Sequence, residues 1–281
     1  MSNKISRRQF VRSSIVAGAA FGIGYGTKSL FKTNNKFDTI VSNGIIYNGE
    51  GGTPFKGDIG IKNGKISAIA SSLGDSANLI IDAEGKAISP GFIDIHTHTD
   101  GNLIEAPLGD SRIMQGVTTD IGGNCGGSPF PRKSNVNITD FYASLPSAIG
   151  INYATYTGQG TIRQFVVGDK DERCTPQQLE EMKRVLADQM ERGSIGLSSG
   201  LEYTPGSYAS NEEITELCKV VAKYDGLYAI HMRNEDDRVE ESIEEAIKIA
   251  RESGVRLQIS HLKAQNAANW HKADSMLNLI E

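Results

Sequence analysis

Two rhythms of apolar and polar positions divide the chain. From 37 to about 88, short β-branched runs (Thr39-Ile40-Val41, Ile45-Ile46-Tyr47, Ile59-Gly60-Ile61, then Ile66 and Ile69) are punctuated by Asn43-Gly44 and Asn63-Gly64. Asn-Gly pairs accept positive φ at little cost, so this pattern predicts β-hairpins. From Ser89-Pro90-Gly91 onward apolar strands alternate with helical stripes. Strands are predicted at 92–96, 117–121, 151–157, 194–199, 227–232 and 256–261, which is the pattern of a parallel sheet with crossover helices.

The later helices carry clear end signals. Thr175-Pro176-Gln177-Gln178 offers an N-cap, a proline at the first helical position and a capping-box glutamine; Leu179, Met182, Leu186 and Met190 continue the stripe to Gly193. Asn211 opens a second helix carrying Ile214, Leu217 and Val221 before Gly226, and a third carries Val239, Ile243, Ile247 and Ala250 before Gly254. A last helix is predicted over 274–281.

Composition narrows the function classes. Of 281 residues, 38% are hydrophobic and 22% charged, with a mean hydropathy of -0.30, which is the profile of a folded globular protein. The formal net charge of -5 removes the global positive field that a nucleic-acid binder uses. Three cysteines, Cys125, Cys174 and Cys218, cannot build a disulfide framework.

Ser6-Arg7-Arg8-Gln9-Phe10-Val11, followed by Arg12 and an uncharged stretch over 13–27, resembles a twin-arginine export signal. That stretch is shorter than the roughly 20 residues that span a bilayer core, which argues against a stable membrane span. The resemblance implies the twin-arginine export machinery as a partner and a periplasmic or extracellular destination, with the signal either cleaved near 17–20 or kept as an anchor. A basic terminus without an address is the plainer alternative. Residues 1–35 are set apart as signal and linker.

Candidate chemistry gathers at predicted strand ends. His96 and His98 lie two apart, so in an extended backbone both side chains point the same way. Cys125 sits in Gly122-Gly123-Asn124-Cys125-Gly126-Gly127, where glycines allow a tight turn. His231 ends one apolar strand and His261 another. A His-x-His pair alone is as compatible with hydrogen-bonded core histidines as with a metal. Joined to a Gly-cradled thiol and two more strand-terminal histidines, it points to a metal site, because imidazole nitrogen and thiolate suit Zn2+ and strand ends converge on one rim. His271 lacks this context, and Cys174 and Cys218 sit beside helix stripes, so all three are expected to be inert.

Pro90-Gly91-Phe92-Ile93-Asp94-Ile95-His96-Thr97-His98 resembles the opening of the metal-dependent amidohydrolase superfamily. Gly123-Asn124-Cys125-Gly126, the run from Gly196 through Leu201-Glu202-Tyr203 to Gly206, His231-Met232-Arg233-Asn234-Glu235 and Ser260-His261-Leu262-Lys263 are similar to the N-acyl-D-amino-acid deacylases. The resemblance implies an α/β fold: a TIM-like (β/α)8 barrel, incomplete here at about six strands, over 89–281, beside a small β-sandwich over 36–88. It further implies a tight zinc on Cys125, His231 and His261, a weaker second position at His96 and His98 shared through Cys125, and an N-acyl-D-amino acid as substrate. Lys263 and Tyr203 match positions that bind the substrate carboxylate. Arg233 could join them, or could form a structural salt bridge with Glu235 or Asp236. Ser198 and Ser199 lack an adjacent histidine to act as base and read as backbone-shaping rather than nucleophilic.

One part of the family pattern is missing. The aspartate that carries the proton from water to the leaving amine would lie beyond Glu281, and neither Asp94 nor Asp100 substitutes for it. These residues therefore read as the N-terminal part of a longer protein. A related cyclic amidase (dihydroorotase- or hydantoinase-like) or a D-residue dipeptidase shares the metal and differs in the pocket. A truncated zinc-binding remnant that turns nothing over is the alternative from another class.

Overall fold

The computed structural model describes residues 35–132 and 136–281. The export-signal reading of 1–35 therefore falls almost wholly outside the described residues. The chain divides between Phe92 and Ile93 into two compact units.

The first unit is a mixed sheet. Strand β1 (Phe37–Ile46) pairs antiparallel with β2 (Phe55–Lys62), which pairs antiparallel with β3 (Lys65–Ala70); β4 (Ala77–Asp82) and β5 (Ala87–Ile88) both run parallel to β1. Phe37, Ile40, Ile46 and Ile59 are buried. The Asn63-Gly64 turn between β2 and β3 has φ of 51° and 69°, the double positive φ of a type I′ hairpin. Asn43-Gly44 behaves differently from the expectation. It lies inside β1, where the register shifts between Val41 and Gly44, and the backbone N–H of Asn43 donates to Asp58 at 3.0 Å. The strand bulges instead of reversing, because the two groups that would close a turn pair elsewhere: Ile45 N donates to Lys86 O at 2.9 Å and Ser42 O accepts from Ala83 N at 2.8 Å.

The second unit is α/β, with parallel strands in chain order. β6 (Phe92–Asp94), β7 (Val117–Gly122) and β8 (Asn152–Thr155) form one ladder; β9 (Thr157–Gly158), β10 (Gly196–Gly200), β11 (Leu227–His231) and β12 (Arg256–Ile259) form another. The two ladders share one stretch of chain. At Tyr156 the backbone N–H donates to Gly122 O at 3.1 Å, while Ile195 N donates to Thr155 O at 3.1 Å. The six predicted strand positions are all found. The first and last are shorter than expected: β6 stops at Asp94 and β12 at Ile259, so His96, His98 and His261 stand in the loops that follow rather than on extended backbone.

The helices are α1 (Asp110–Ile113), α2 (Ile138–Ser144), α3 (Gln159–Val166), α4 (Pro176–Glu191), α5 (Asn211–Lys223), α6 (Val239–Ser253) and α7 (Ala273–Ile280). In α4 the predicted capping box is made: Gln178 N donates to Thr175 Oγ1 at 3.2 Å and Thr175 N to Gln178 Oε1 at 2.8 Å. Asn211 opens α5 as expected, and Ser210 caps it, its hydroxyl accepting from Glu213 N. Gly254 ends α6 with φ of 72°. Met182, Leu186, Met190, Ile214, Leu217, Val221 and Ile243 interlock with Leu197, Tyr228 and Ile230 of the strands in one core. Each such fully buried side chain contributes about 1.5–3 kcal/mol. Cys218 is buried in this core, and the partly buried Cys174 packs against it. Among the described residues no helix is long and apolar enough to cross a membrane.

Candidate functional site

The loops after the C-terminal ends of β6, β7 and β12, with the last residue of β11, meet at one sulfur. Cys125 Sγ lies 3.5 Å from His96 Nε2, 3.8 Å from His98 Nε2, 3.7 Å from His231 Nδ1 and 3.8 Å from His261 Nε2. All five predicted metal-site residues are thus brought together, although three of them left their strands early.

Local sequence explains the cradle. Gly123 and Gly126 take φ of 71° and 78° on either side of Cys125, conformations that cost a side-chain-bearing residue energy. Ser198 of β10 grips this loop from both ends, accepting from Gly126 N at 3.0 Å and donating to Gly123 O. Ser199 meets the Tyr228 hydroxyl at 2.6 Å. Both serines shape the structure, in keeping with the sequence reading. The buried Asn124 amide donates to Ile121 O at 2.9 Å, and Asp100 accepts from Gly123 N, Thr155 Oγ1 and the Tyr153 hydroxyl. Asp94 accepts from His96 N at 3.2 Å and from Arg112 at 2.9 Å. These two aspartates are committed to the backbone and to their own partners.

The donor set suits a soft divalent cation. His231 Nδ1 and His261 Nε2 are 2.9 Å apart, a hydrogen-bond separation that brings two ring nitrogens to one side of the cleft. His96 Nδ1 is buried without a partner. Burial, then the neighbouring histidines, lowers the His96 pKa to about 4, which keeps its imidazole neutral, and burial together with the Glu235 charge pushes the Cys125 thiol up to about 11. A dication bound beside this thiol would favour its thiolate form. Two ligand groups satisfy the spacing of a metal site: His96, Cys125 and His261, and His231, Glu235 and His261.

Two carboxylates at the cluster escaped sequence reasoning. Glu202 Oε2 accepts from His231 Nε2 at 2.8 Å, and the buried Glu235 places Oε1 2.7 Å from His261 Nδ1 while its other oxygen pairs with Lys263. Both lie inside the family-like runs, Glu202 after β10 and Glu235 four residues after His231 in the loop that follows β11. Neither spacing separates a histidine partner from a solvated charge.

The predicted substrate contacts are divided. Tyr203 is half-exposed with its ring centroid 4.6 Å from that of His231, and Lys263 reaches the cluster through Glu235. Both line an open cleft of about 590 Å³ with the cysteine and the histidines. Arg233 does not line it. Its guanidinium binds Glu245, at 3.0 Å, and the carbonyls of Ser207 and Ala209, so its salt bridge is with neither Glu235 nor Asp236. A buried ion pair elsewhere, Arg163 with Glu213, ties α3 to α5 beneath the loop that follows β10.

Comparison with known proteins agrees with this geometry. Residues 79–278 match the model of the Amidohydrolase family. The chain is 32% identical over 263 residues to an N-acyl-D-glutamate deacylase of Alcaligenes xylosoxydans xylosoxydans, covering 88% of this chain and 54% of the relative. It is 31% identical to a D-aminoacylase of the same organism, covering 87% and 54%. The structure superposes with a TM-score of 0.82 and 33% identity on the N-acyl-D-glutamate deacylase of Bordetella bronchiseptica complexed with zinc and a phosphonate mimic of the tetrahedral intermediate, covering 87% of this chain and 55% of that one. The chain spans about half the length of these relatives.

Proposed function

The chain belongs to the amidohydrolase family, and on that footing we propose that the protein is a zinc-dependent hydrolase of the amide bond in N-acyl-D-amino acids. Water adds to the acyl carbon, the carbon–nitrogen bond breaks, and a carboxylate and a free D-amino acid leave. The observation that carries the reading is the approach of four histidine nitrogens to the sulfur of Cys125 within 3.5–3.8 Å.

In this reading Cys125, His231 and His261 hold the tight zinc, and His96 with His98 offers a second, weaker position that shares the sulfur. Zinc bound there supplies Lewis-acid activation of water and of the acyl carbonyl. The remaining roles belong to the protein. Lys263 and the Tyr203 hydroxyl bind the substrate carboxylate, a task suited to a cation and a phenol. Glu235 holds the Lys263 ammonium at the cleft, and Arg233 acts indirectly, pinning the Ser207 and Ala209 carbonyls of the loop that bears Tyr203. With Asp94 and Asp100 engaged elsewhere, the proton carrier is sought in an aspartate outside this stretch.

The same reading extends to architecture and address. The six parallel strands are taken as part of a (β/α)8 barrel over 89–281, the first unit as a small β-sandwich over 36–88, and residues 1–35 as a twin-arginine signal delivering folded protein to the periplasm or beyond. Purified from its native source, the protein is expected to contain zinc and to release D-amino acids from N-acyl-D-amino acids faster than it opens hydantoins or cleaves dipeptides. Absence of zinc, or deacylation undiminished by Cys125→Ala, overturns the proposal.

A further inference from the structure

His231 is gripped on both its edge and its face. Its side chain is 5% exposed, so water is no competitor for its ring nitrogens. Nε2 meets Glu202 Oε2 at 2.8 Å; the nearest other carboxylate oxygen, on Glu235, is 3.9 Å away and already taken by Lys263. The ring face carries Tyr203. The loop that presents both residues is itself fixed. Leu201 N donates to His231 O at 3.1 Å, and Tyr203 N and Ser207 N close the turn onto Gly200 O and Tyr203 O. Among the described residues, His231 is the only hydrogen-bond partner of Glu202.

We propose that Glu202 is a positioning residue that holds His231 in the tautomer protonated at Nε2, leaving Nδ1 bare toward Cys125 and His261. A carboxylate accepts and does not donate, so the proton of the neutral imidazole must sit on the nitrogen facing it. The opposite nitrogen then presents a lone pair where a cation is to be held. Without Glu202 the tautomer with hydrogen on Nδ1 would turn a donor toward the ion position, and the ring would lose the bond that sets its angle. Removal of such an outer carboxylate typically costs 10–100-fold in metal affinity.

This inference rests on the zinc reading of the cluster, but its first test needs no metal. Long-range proton–nitrogen NMR of the histidine side chains in metal-free protein is expected to show His231 as the Nε2–H tautomer. Glu202→Ala should give a mixture of tautomers, and Glu202→Gln, whose amide oxygen still accepts, should restore most of the original state. Competition with a chromophoric chelator should then show Zn2+ bound about 10–100-fold more weakly by Glu202→Ala and less than about tenfold more weakly by Glu202→Gln. A merely structural role would lower the unfolding midpoint and leave the tautomer alone. The proposal is overturned if Glu202→Ala keeps the Nε2–H tautomer, or keeps its Zn2+ affinity within about twofold. Failure of the unsubstituted chain to bind Zn2+, with the tautomer shift intact, overturns the zinc reading instead and leaves the Glu202–His231 relationship standing.

Discussion

Asp100 and Gly123 are joined by a hydrogen bond of 3.0 Å from backbone N–H to carboxylate, and this bond ties the loop bearing His98 to the loop bearing Cys125. Asp100 stands two residues after His98 and Gly123 two before Cys125. Asp100→Ala would strand Gly123 N and the half-buried Tyr153 hydroxyl together. The expected loss of stability is about 1–3 kcal/mol, read from urea unfolding, with weaker zinc retention on dialysis. Unchanged stability and metal content would mean that the two loops hold their positions without this tie.

Metal loading should stabilise the fold. A ligand that binds only the native state at 100 times its Kd adds about 2.7 kcal/mol, so Zn2+ should raise the unfolding midpoint and chelation should reverse the rise. In Cys125→Ala and His231→Ala the midpoint should no longer respond to Zn2+. A full response in either variant contradicts the ligand assignment.

Tyr203→Phe keeps the ring against His231 and deletes only the hydroxyl. If that hydroxyl binds the substrate carboxylate, KM for N-acyl-D-amino acids should rise about tenfold, the worth of one hydrogen bond to a charged group, with kcat little changed. Substrate analogues whose carboxylate is amidated should be hydrolysed equally by both proteins. A fall in kcat at unaltered KM would assign the hydroxyl to the reacting centre instead.

The Arg163–Glu213 pair is fully buried, with Gln159 donating to Glu213 at 3.2 Å. Breaking it by Arg163→Met leaves a desolvated carboxylate and should cost about 3–5 kcal/mol, whereas replacing both partners with apolar residues should recover much of the loss. By contrast, Arg184→Ala removes an exposed helix pair with Glu181 and should change stability by less than about 1 kcal/mol. A double-mutant cycle reads both.

Burial raises the Asp120 carboxyl above its ordinary range, against the opposing charge of Arg112 at 3.5 Å. The folded state therefore holds this proton more tightly than the unfolded chain does. Its contribution is most favourable below the unfolded value of about 3.9 and is lost as pH rises through the higher folded value. Asp120→Asn should flatten that part of the stability profile. Parallel profiles for the two proteins would show that Asp120 titrates alike in both states.

Much of this site could be read from the chain because its proposed ligands are rare residue types at the ends of apolar strands. The five metal-site positions and the six strands came from that pattern, as did the α4 capping box. Carboxylates are common on any surface, so Glu202 and Glu235 became visible only when their distances to His231 and His261 were known. Helices α2 and α3 were missed for a related reason. Asn137 and Asp140 form a capping box without the usual Glu or Gln, α3 opens on Gln159-Gly160, and its Arg163 is buried where its type suggests solvent. The Asn43-Gly44 bulge is decided by Ala83 and Lys86, which take Ser42 O and Ile45 N, partners that no local pattern reveals.

The change of partner at Tyr156 has a mechanical consequence. One stretch of backbone serves as the last strand of the first ladder and the first strand of the second, so the ligands hung from β6 and β7 and those hung from β11 and β12 belong to one frame without a hinge between them. A slip of a single residue along 152–158 would carry one half of the ligand set past the other by about 3.3 Å, further than any metal bond can stretch. The spacing of the proposed ligands is therefore set by the register of that strand.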